Sequence, residues 1–192
     1  MMAALACGRS KTGGFSACEL NILNGTDSIM RVLTIEDSLD NVVLRAASHD
    51  FSLEELMSDE FKKLERMMIA TVTHPSQDGV GIAGPQVGLN RRVVAVQRFD
   101  KEGEPFEVYA NVKIVWMSDS LAYGPEGCLS VPDRRGNVLR SQQIVIEYAD
   151  LAPLSHSCDD IPMARDTVSG FTAVIFQHEI DHLEGVLYID RL

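Results

Sequence analysis

"FQHEIDHLEG", residues 176–185, decides how the rest of the chain is read. It places His178 and His182 four residues apart, with Glu179 beside the first. On an α-helix, positions i and i+4 share a face, so the two imidazoles can converge on one ion. Glu179 then lies to the side of the pair, placed to act as a base on water activated by that ion, which is the physical content of H-E-x-x-H. The lead-in, Ala173-Val174-Ile175-Phe176, is apolar on every side, as in a buried helix. Polar groups at the end of such a helix are costly unless satisfied, and a metal would satisfy them. The pattern is short, and the competing reading is a surface helix with chance histidines. Gly185 closes the segment as a natural C-cap, so the helix is expected from Asp166 or Thr167 to Glu184.

The rest of the chain has the makings of one domain. Its 192 residues are 45% hydrophobic and 23% charged, enough for a sizeable core. A net charge of −11 argues against nucleic-acid or anionic-membrane partners, because binding phosphates needs clustered cations. No run is apolar for long enough to span a bilayer. Cys7, Cys18, Cys128 and Cys158 form no C-x-x-C pair, so no disulfide framework is expected. Residues 1–27 are rich in Gly, Ser, Thr and Asn and read as a flexible, disordered leader. A lipid anchor through Cys7 is the alternative, weakened by the lack of a basic segment before the apolar start.

Residues 29–35 read as a strand. Residues 52–72 read as one amphipathic helix, with a Ser52–Glu55 capping box and a stripe through Leu53, Leu56, Phe61, Leu64, Met68 and Val72. Strands are expected at 91–99, 107–117 and 138–150, with a turn at 101–105 between the first two. Residues 151–165 read as a loop, where a metal role for His156 and Cys158 stays open beside the plainer solvated reading. The expected fold is α+β: a single catalytic domain, 28–192, with antiparallel strands packed around a central C-terminal metal-binding helix and an N-terminal amphipathic helix.

A catalytic metal needs a third ligand. In the H-E-x-x-H-x-x-G-x-x-H layout that position is Tyr188, and the chain ends too soon for a later helix to supply a glutamate. The ligand must lie upstream. "PEGCLSVPD" (125–133) offers Cys128, and a Cys-His-His set leaves a fourth position open, as catalytic sites require. A buried structural cysteine is the ordinary alternative. A further segment, "GVGIAGPQVG" (79–88), has glycines that let backbone approach a ligand closely, and Gln86 offers an amide donor. It lacks the Lys-Ser/Thr of a phosphate loop.

In this order and spacing the three segments resemble the peptide deformylase family, whose patterns are G-x-G-x-A-A-P-Q-x-G, E-G-C-L-S and Q-H-E-x-D-H. The chain reads Gly79 to Gly88, then Glu126-Gly127-Cys128-Leu129-Ser130, then Gln177-His178-Glu179-Ile180-Asp181-His182. Gly84 stands in place of the second alanine, and the 151–165 loop is longer than the family leads one to expect. The chain also stops at "YIDRL", without the C-terminal extension of many relatives.

The resemblance implies removal of the N-formyl group from formyl-methionyl peptides, releasing formate. It assigns Cys128, His178 and His182 to a divalent metal, Fe(II) in the cell, with Zn(II), Ni(II) or Co(II) as substitutes. Glu179 becomes the base, and the Gln86 side chain and the Leu129 backbone N–H become oxyanion donors. Val80 and Gly81 would pair with the substrate backbone, and Val174 and Ile175 would wall the methionine pocket beside His178. Glu126 and Arg140 would form a supporting ion pair, with Asp181 supporting rather than catalytic. The implied setting is the cytoplasm, with nascent formylated chains and the ribosome near its exit tunnel as partners.

Overall fold

The computed structural model describes residues 14–25, 28–77, 79–154 and 160–192. Cys7, His156 and Cys158 lie outside the described residues, and so do the readings attached to them. The helix of the two histidines, here α5, spans Gly170–Leu183 and buries most of its length, including Ala173, Phe176, Ile180 and Leu183. The described residues form eight strands, all paired antiparallel. The first sheet runs in the order β1 (Gly81–Ala83), β2 (Val93–Gln97), β3 (Phe106–Ala110). The second orders β4 (Lys113–Met117), β7 (Gln143–Ala149), β8 (Met163–Ser169), and β5 (Leu121–Cys128) and β6 (Val131–Ser141) form a two-stranded sheet.

The period of two along β2 explains the layering. Val93 and Ala95 join the core beneath α4 (Asp59–Val72), with Phe61, Leu64 and Met68. Val94 and Val96 face the other way, into the core built on α5 with Phe176, Ile144, Ile146 and Val168. The sheet is therefore buried on both faces, and its strand reads as an unbroken apolar run. The expected α+β class, with antiparallel sheets around the C-terminal helix, is what the chain forms.

Several elements depart from the sequence expectation. The helix expected over 52–72 is two helices, α3 (Leu53–Met57) and α4, divided at Ser58, whose backbone is extended (φ −73°, ψ 159°). Ser58 breaks the run because its hydroxyl accepts the Phe61 N–H at 3.1 Å and donates to the Glu55 carbonyl at 2.6 Å, capping both helices at once. The Ser52–Glu55 capping box is present as expected. Residues 29–35 form no strand. Their backbone bonds go singly to different segments, Leu33 N–H to the Gln86 carbonyl and Ile35 N–H to the Ser130 carbonyl. The 107–117 run splits at Asn111, which adopts φ 52° while its side chain bonds both backbone groups of Phe51.

The 138–150 run splits between β6 and β7 at Gln142. Residues 163–169, read as loop and helix start, are β8, so α5 begins at Gly170 rather than at Asp166 or Thr167. β5 went unread because a proline and two glycines hide its alternation. The expected leader also contains structure. Ala17–Leu23 is a helix, α1, opened by a Ser16–Glu19 capping box, and its Glu19 is buried against Arg91. Cys18 on α1 is disulfide-bonded, although no framework was expected, while Cys128 is a free thiol.

Candidate metal centre and catalytic cleft

Three segments converge at one end of α5. Helical spacing puts Phe171, Val174, Ile175 and His178 on one face, which forms a wall of a cleft of about 730 Å³. The end of β5, from Pro125 through Cys128, and Leu129 after it also line the cleft. Val80 and Gly81 line it too, at the entry to β1, which is the edge strand of its sheet. Gln86 and Glu179 also face the cleft. Thus every expected site residue lines one cavity except His182, which lies buried behind it.

The donor atoms of Cys128, His178 and His182 all lie within 4.8 Å of one another. The Cys128 sulfur is 3.2 Å from His182 Nε2. His178 presents its other nitrogen, Nδ1, to Glu126 Oε2 at 2.8 Å, which fixes the ring and leaves Nε2 toward the sulfur. Tyr188, where another layout would place a histidine, instead lies parallel to the His178 ring with centroids 6.1 Å apart.

The electrostatics suit a cation at this point. Burial works against charging His178, yet its bonds to Cys128 and Glu126 hold its pKa up near 10. Burial keeps His182 neutral, with a pKa well below the usual imidazole value. One thiol and two imidazoles, one of them a neutral ring, are a donor set that fits a divalent ion of the zinc or iron type. Behind them, the Glu126 carboxyl falls to about 2, because hydrogen bonds from His178 and Arg140 outweigh the cost of its burial. The ion pair expected between Glu126 and Arg140 is present at 2.8 Å.

Glu179 is only 4% exposed, and its Oε2 atom has no hydrogen-bond partner. Burial raises its carboxyl to about 7. Gln86 is held by its own backbone turn: its Oε1 accepts the Ala83 N–H at 2.8 Å. That leaves its Nε2 donor aimed at Ser130 Oγ (3.3 Å) and Cys128 Sγ (3.5 Å), at the edge of the cluster.

The pattern described as polypeptide deformylase matches residues 29–192. The chain belongs to the peptide deformylase family. A peptide deformylase of Leptospira biflexa is 38% identical over 161 residues, covering 80% of this chain and 84% of the relative. Peptide deformylase 2 of Gloeobacter violaceus is 39% identical, covering 81% and 76%. Among solved structures, a Met-Ala-Ser-bound class I type b peptide deformylase of Acinetobacter baumannii superposes with a TM-score of 0.70 at 32% identity, covering 85% of this chain and 98% of that one. The peptide deformylase of Thermotoga maritima gives 0.71 at 30%, covering 85% and 97%. The activity is that of a peptide deformylase, a metal-dependent hydrolase, and the deformylase carries its metal site at Cys128, His178 and His182.

Some functional neighbours were not read from the sequence. Phe171 could have been, since it continues the spacing of Val174, Ile175 and His178. Arg134 and Arg135 line the cleft from β6, and nothing in their own segment marks them. The bond from Glu126 to His178 joins residues 52 apart in sequence, which no local pattern reveals.

Proposed function

We propose that the deformylase removes the formyl group from formyl-methionyl peptides by the following division of labour. The observation that carries it is the buried, unpartnered Glu179 oxygen facing the cleft beside three converging ligand atoms. A divalent metal held by Cys128, His178 and His182 would polarise the formyl carbonyl and make water a nucleophile near neutral pH. Glu179 takes the proton of the attacking water and passes it to the leaving nitrogen, a role suited to a carboxyl whose pKa lies near 7. The Gln86 amide and the Leu129 N–H donate to the oxyanion as it forms. Val174 and Ile175 receive the methionine side chain. Val80 and Gly81 pair with the peptide backbone, a reading supported by the unpaired side of β1.

The substrate reading is supported by the relative whose structure is described with Met-Ala-Ser, the product sequence of such a reaction. Formylated nascent chains place the enzyme in the cytoplasm, meeting its substrate near the ribosome's exit. No helix among the described residues is long and apolar enough to cross a membrane. For the metal in the cell we propose Fe(II), with Ni(II) or Co(II) as active substitutes and Zn(II) as a slower one.

Formate release from formyl-Met-Ala-Ser tests the whole reading. Protein stripped and reloaded with each ion should be fast with iron and decay in air, because oxidation of iron or of Cys128 destroys the ligand set. Nickel should give fast and stable protein. Equal rates with zinc and iron, and no loss in air, would reassign the metal. Glu179→Ala should keep its metal by mass spectrometry and lose turnover by roughly a hundredfold or more. Full activity in that variant, or equal rates on acetyl peptides, would remove the proposed chemistry.

A further inference from the structure

A chain of alternating charges leads from the metal-ligand imidazole to the last turn of the protein. His178 Nδ1 lies 2.8 Å from Glu126 Oε2. Arg140 grips Glu126 with two donors, Nε to Oε1 at 2.8 Å and Nη2 to Oε2 at 3.0 Å. Its remaining arm, Nη1, donates to Asp181 Oδ2 at 2.6 Å. Arg191 then grips Asp181 from the other side, Nε to Oδ2 at 2.6 Å and Nη2 to Oδ1 at 2.5 Å. Glu126, Arg140 and Asp181 are buried, whereas the Arg191 side chain is 44% exposed.

We propose that Arg191 is a positioning residue for the metal centre, acting through Asp181, Arg140 and Glu126 on the His178 ring. The inference rests on the reading of Cys128, His178 and His182 as metal ligands. Its physical basis is a count of donors. Two buried carboxylates, Glu126 and Asp181, both draw on the one buried guanidinium of Arg140, and Arg191 brings a second guanidinium to Asp181. Without it, Asp181 competes harder for Arg140 and draws it away from Glu126. Glu126 is what holds Nδ1 of His178 and so leaves Nε2 as the ligand atom. A loosened Glu126 therefore means a less constrained ligand. Asp181 also sits between His178 and His182 on α5, so Arg140 ties together the helix and the partner of its ligand.

The role is separable from folding. The turn that carries Arg191 (Tyr188–Arg191) is docked by other groups. Leu187 and Tyr188 pack against Val131 and Val138. Asp190 accepts the Leu187 N–H at 2.8 Å and pairs with Arg45. Removing the Arg191 side chain leaves these anchors in place.

The test loads wild-type protein, Arg191→Ala and Arg191→Lys with Co(II). It follows the cobalt–thiolate absorption as EDTA removes the metal, beside the urea midpoints of the metal-free proteins. Arg191→Ala should release cobalt about tenfold faster, the lower end of what losing a ligand's supporting partner costs, with its metal-free midpoint unchanged. Arg191→Lys returns the charge without the two-pronged grip and should release cobalt at a rate between those two; if Arg191→Ala fails to fold, faster release from Arg191→Lys than from wild type at an unchanged metal-free midpoint carries the test. Release at the wild-type rate, or faster release matched by a lower metal-free midpoint, would overturn the role. Wild-type protein that takes up no cobalt would overturn the metal reading itself, and this inference with it.

Discussion

At Gly81 the site depends on a missing side chain. A Cβ there would lie 2.6 Å from Glu179 Oε1 and 2.9 Å from Ile175 Cγ2. Gly81→Ala must therefore push the Glu179 carboxylate aside. A misplacement of about 1 Å near the reacting atoms can cost on the order of a hundredfold in rate, whereas the flexible end of a glutamate can shift at small cost in stability. We expect formate release to fall by about that factor while the urea midpoint barely moves; a rate near wild type would show that the carboxylate has room to spare. This glycine was legible in the sequence as a place where backbone meets ligand, but its actual neighbour, Glu179, was not. The reason is general to this site. The local i, i+4 geometry of His178 and His182 follows from helix period alone, and a motif in order with it could nominate Cys128. The contacts between Glu126 and His178, or Arg140 and Asp181, join distant segments by directions that only the fold sets.

Among the elements, the ends matter more than the middles. α5 stops where its C-terminal glycine, Gly185, turns with φ 70°, and a Cβ there would lie 2.3 Å from the Arg45 carbonyl oxygen. Gly185→Ala meets both a disfavoured backbone and a fixed backbone atom, so it should destabilise the protein by roughly 2–3 kcal/mol. Urea denaturation checks this, and a loss below the error of the method would mean that the contact between α5 and the helix Ser38–Leu44, which Arg45 ends, yields easily. α3 supplies a pH-dependent tie. Burial works against the charge on Glu55, but bonds from Arg91 and Ser52 outweigh it and hold its carboxyl below the ordinary value of 4.5. A depressed folded pKa contributes stability above the ordinary value, and that stability is lost as the pH falls through the folded one. Glu55→Gln keeps the cap's acceptor and removes the charge. It should be less stable than wild type at pH 7 and lose less on going from pH 5 to pH 3; parallel acid limbs would exclude the linkage. The sequence showed the capping box and the apolar stripe of these helices because both are local. It hid the break at Ser58, since a serine inside a strong helical pattern declares a cap only when the next turn starts afresh. It hid β5 because a proline and two glycines break its apolar pattern, and β8 because its inward positions hold Ala164 and Asp166, with Val168 alone large and apolar.

The whole molecule is organised so that one helix, α5, is both the core of the second hydrophobic cluster and the carrier of two metal ligands. Metal and fold should therefore be linked. At a thousand times its dissociation constant, a ligand of the native state adds about 4 kcal/mol. For a chain of this length that raises Tm by roughly 10 °C. Nickel added to stripped protein should give such a shift, and Cys128→Ala should abolish it; an equal shift in that variant would place the bound nickel elsewhere. The class of fold was readable because the helix is apolar on all sides and strands precede it. The place of α1 was not, because a short capped helix after a glycine-rich stretch looks like a tail. Yet α1 lies outside the matched family region, and its Glu19 shares the buried Arg91 with Glu55. These partners are 72 residues apart. During synthesis at about 5–20 residues per second, α1 leaves the ribosome several seconds before its arginine does. A deformylase thus emerges with its own α1 unhoused, its apolar side open to whatever waits at the exit until the middle of the chain arrives.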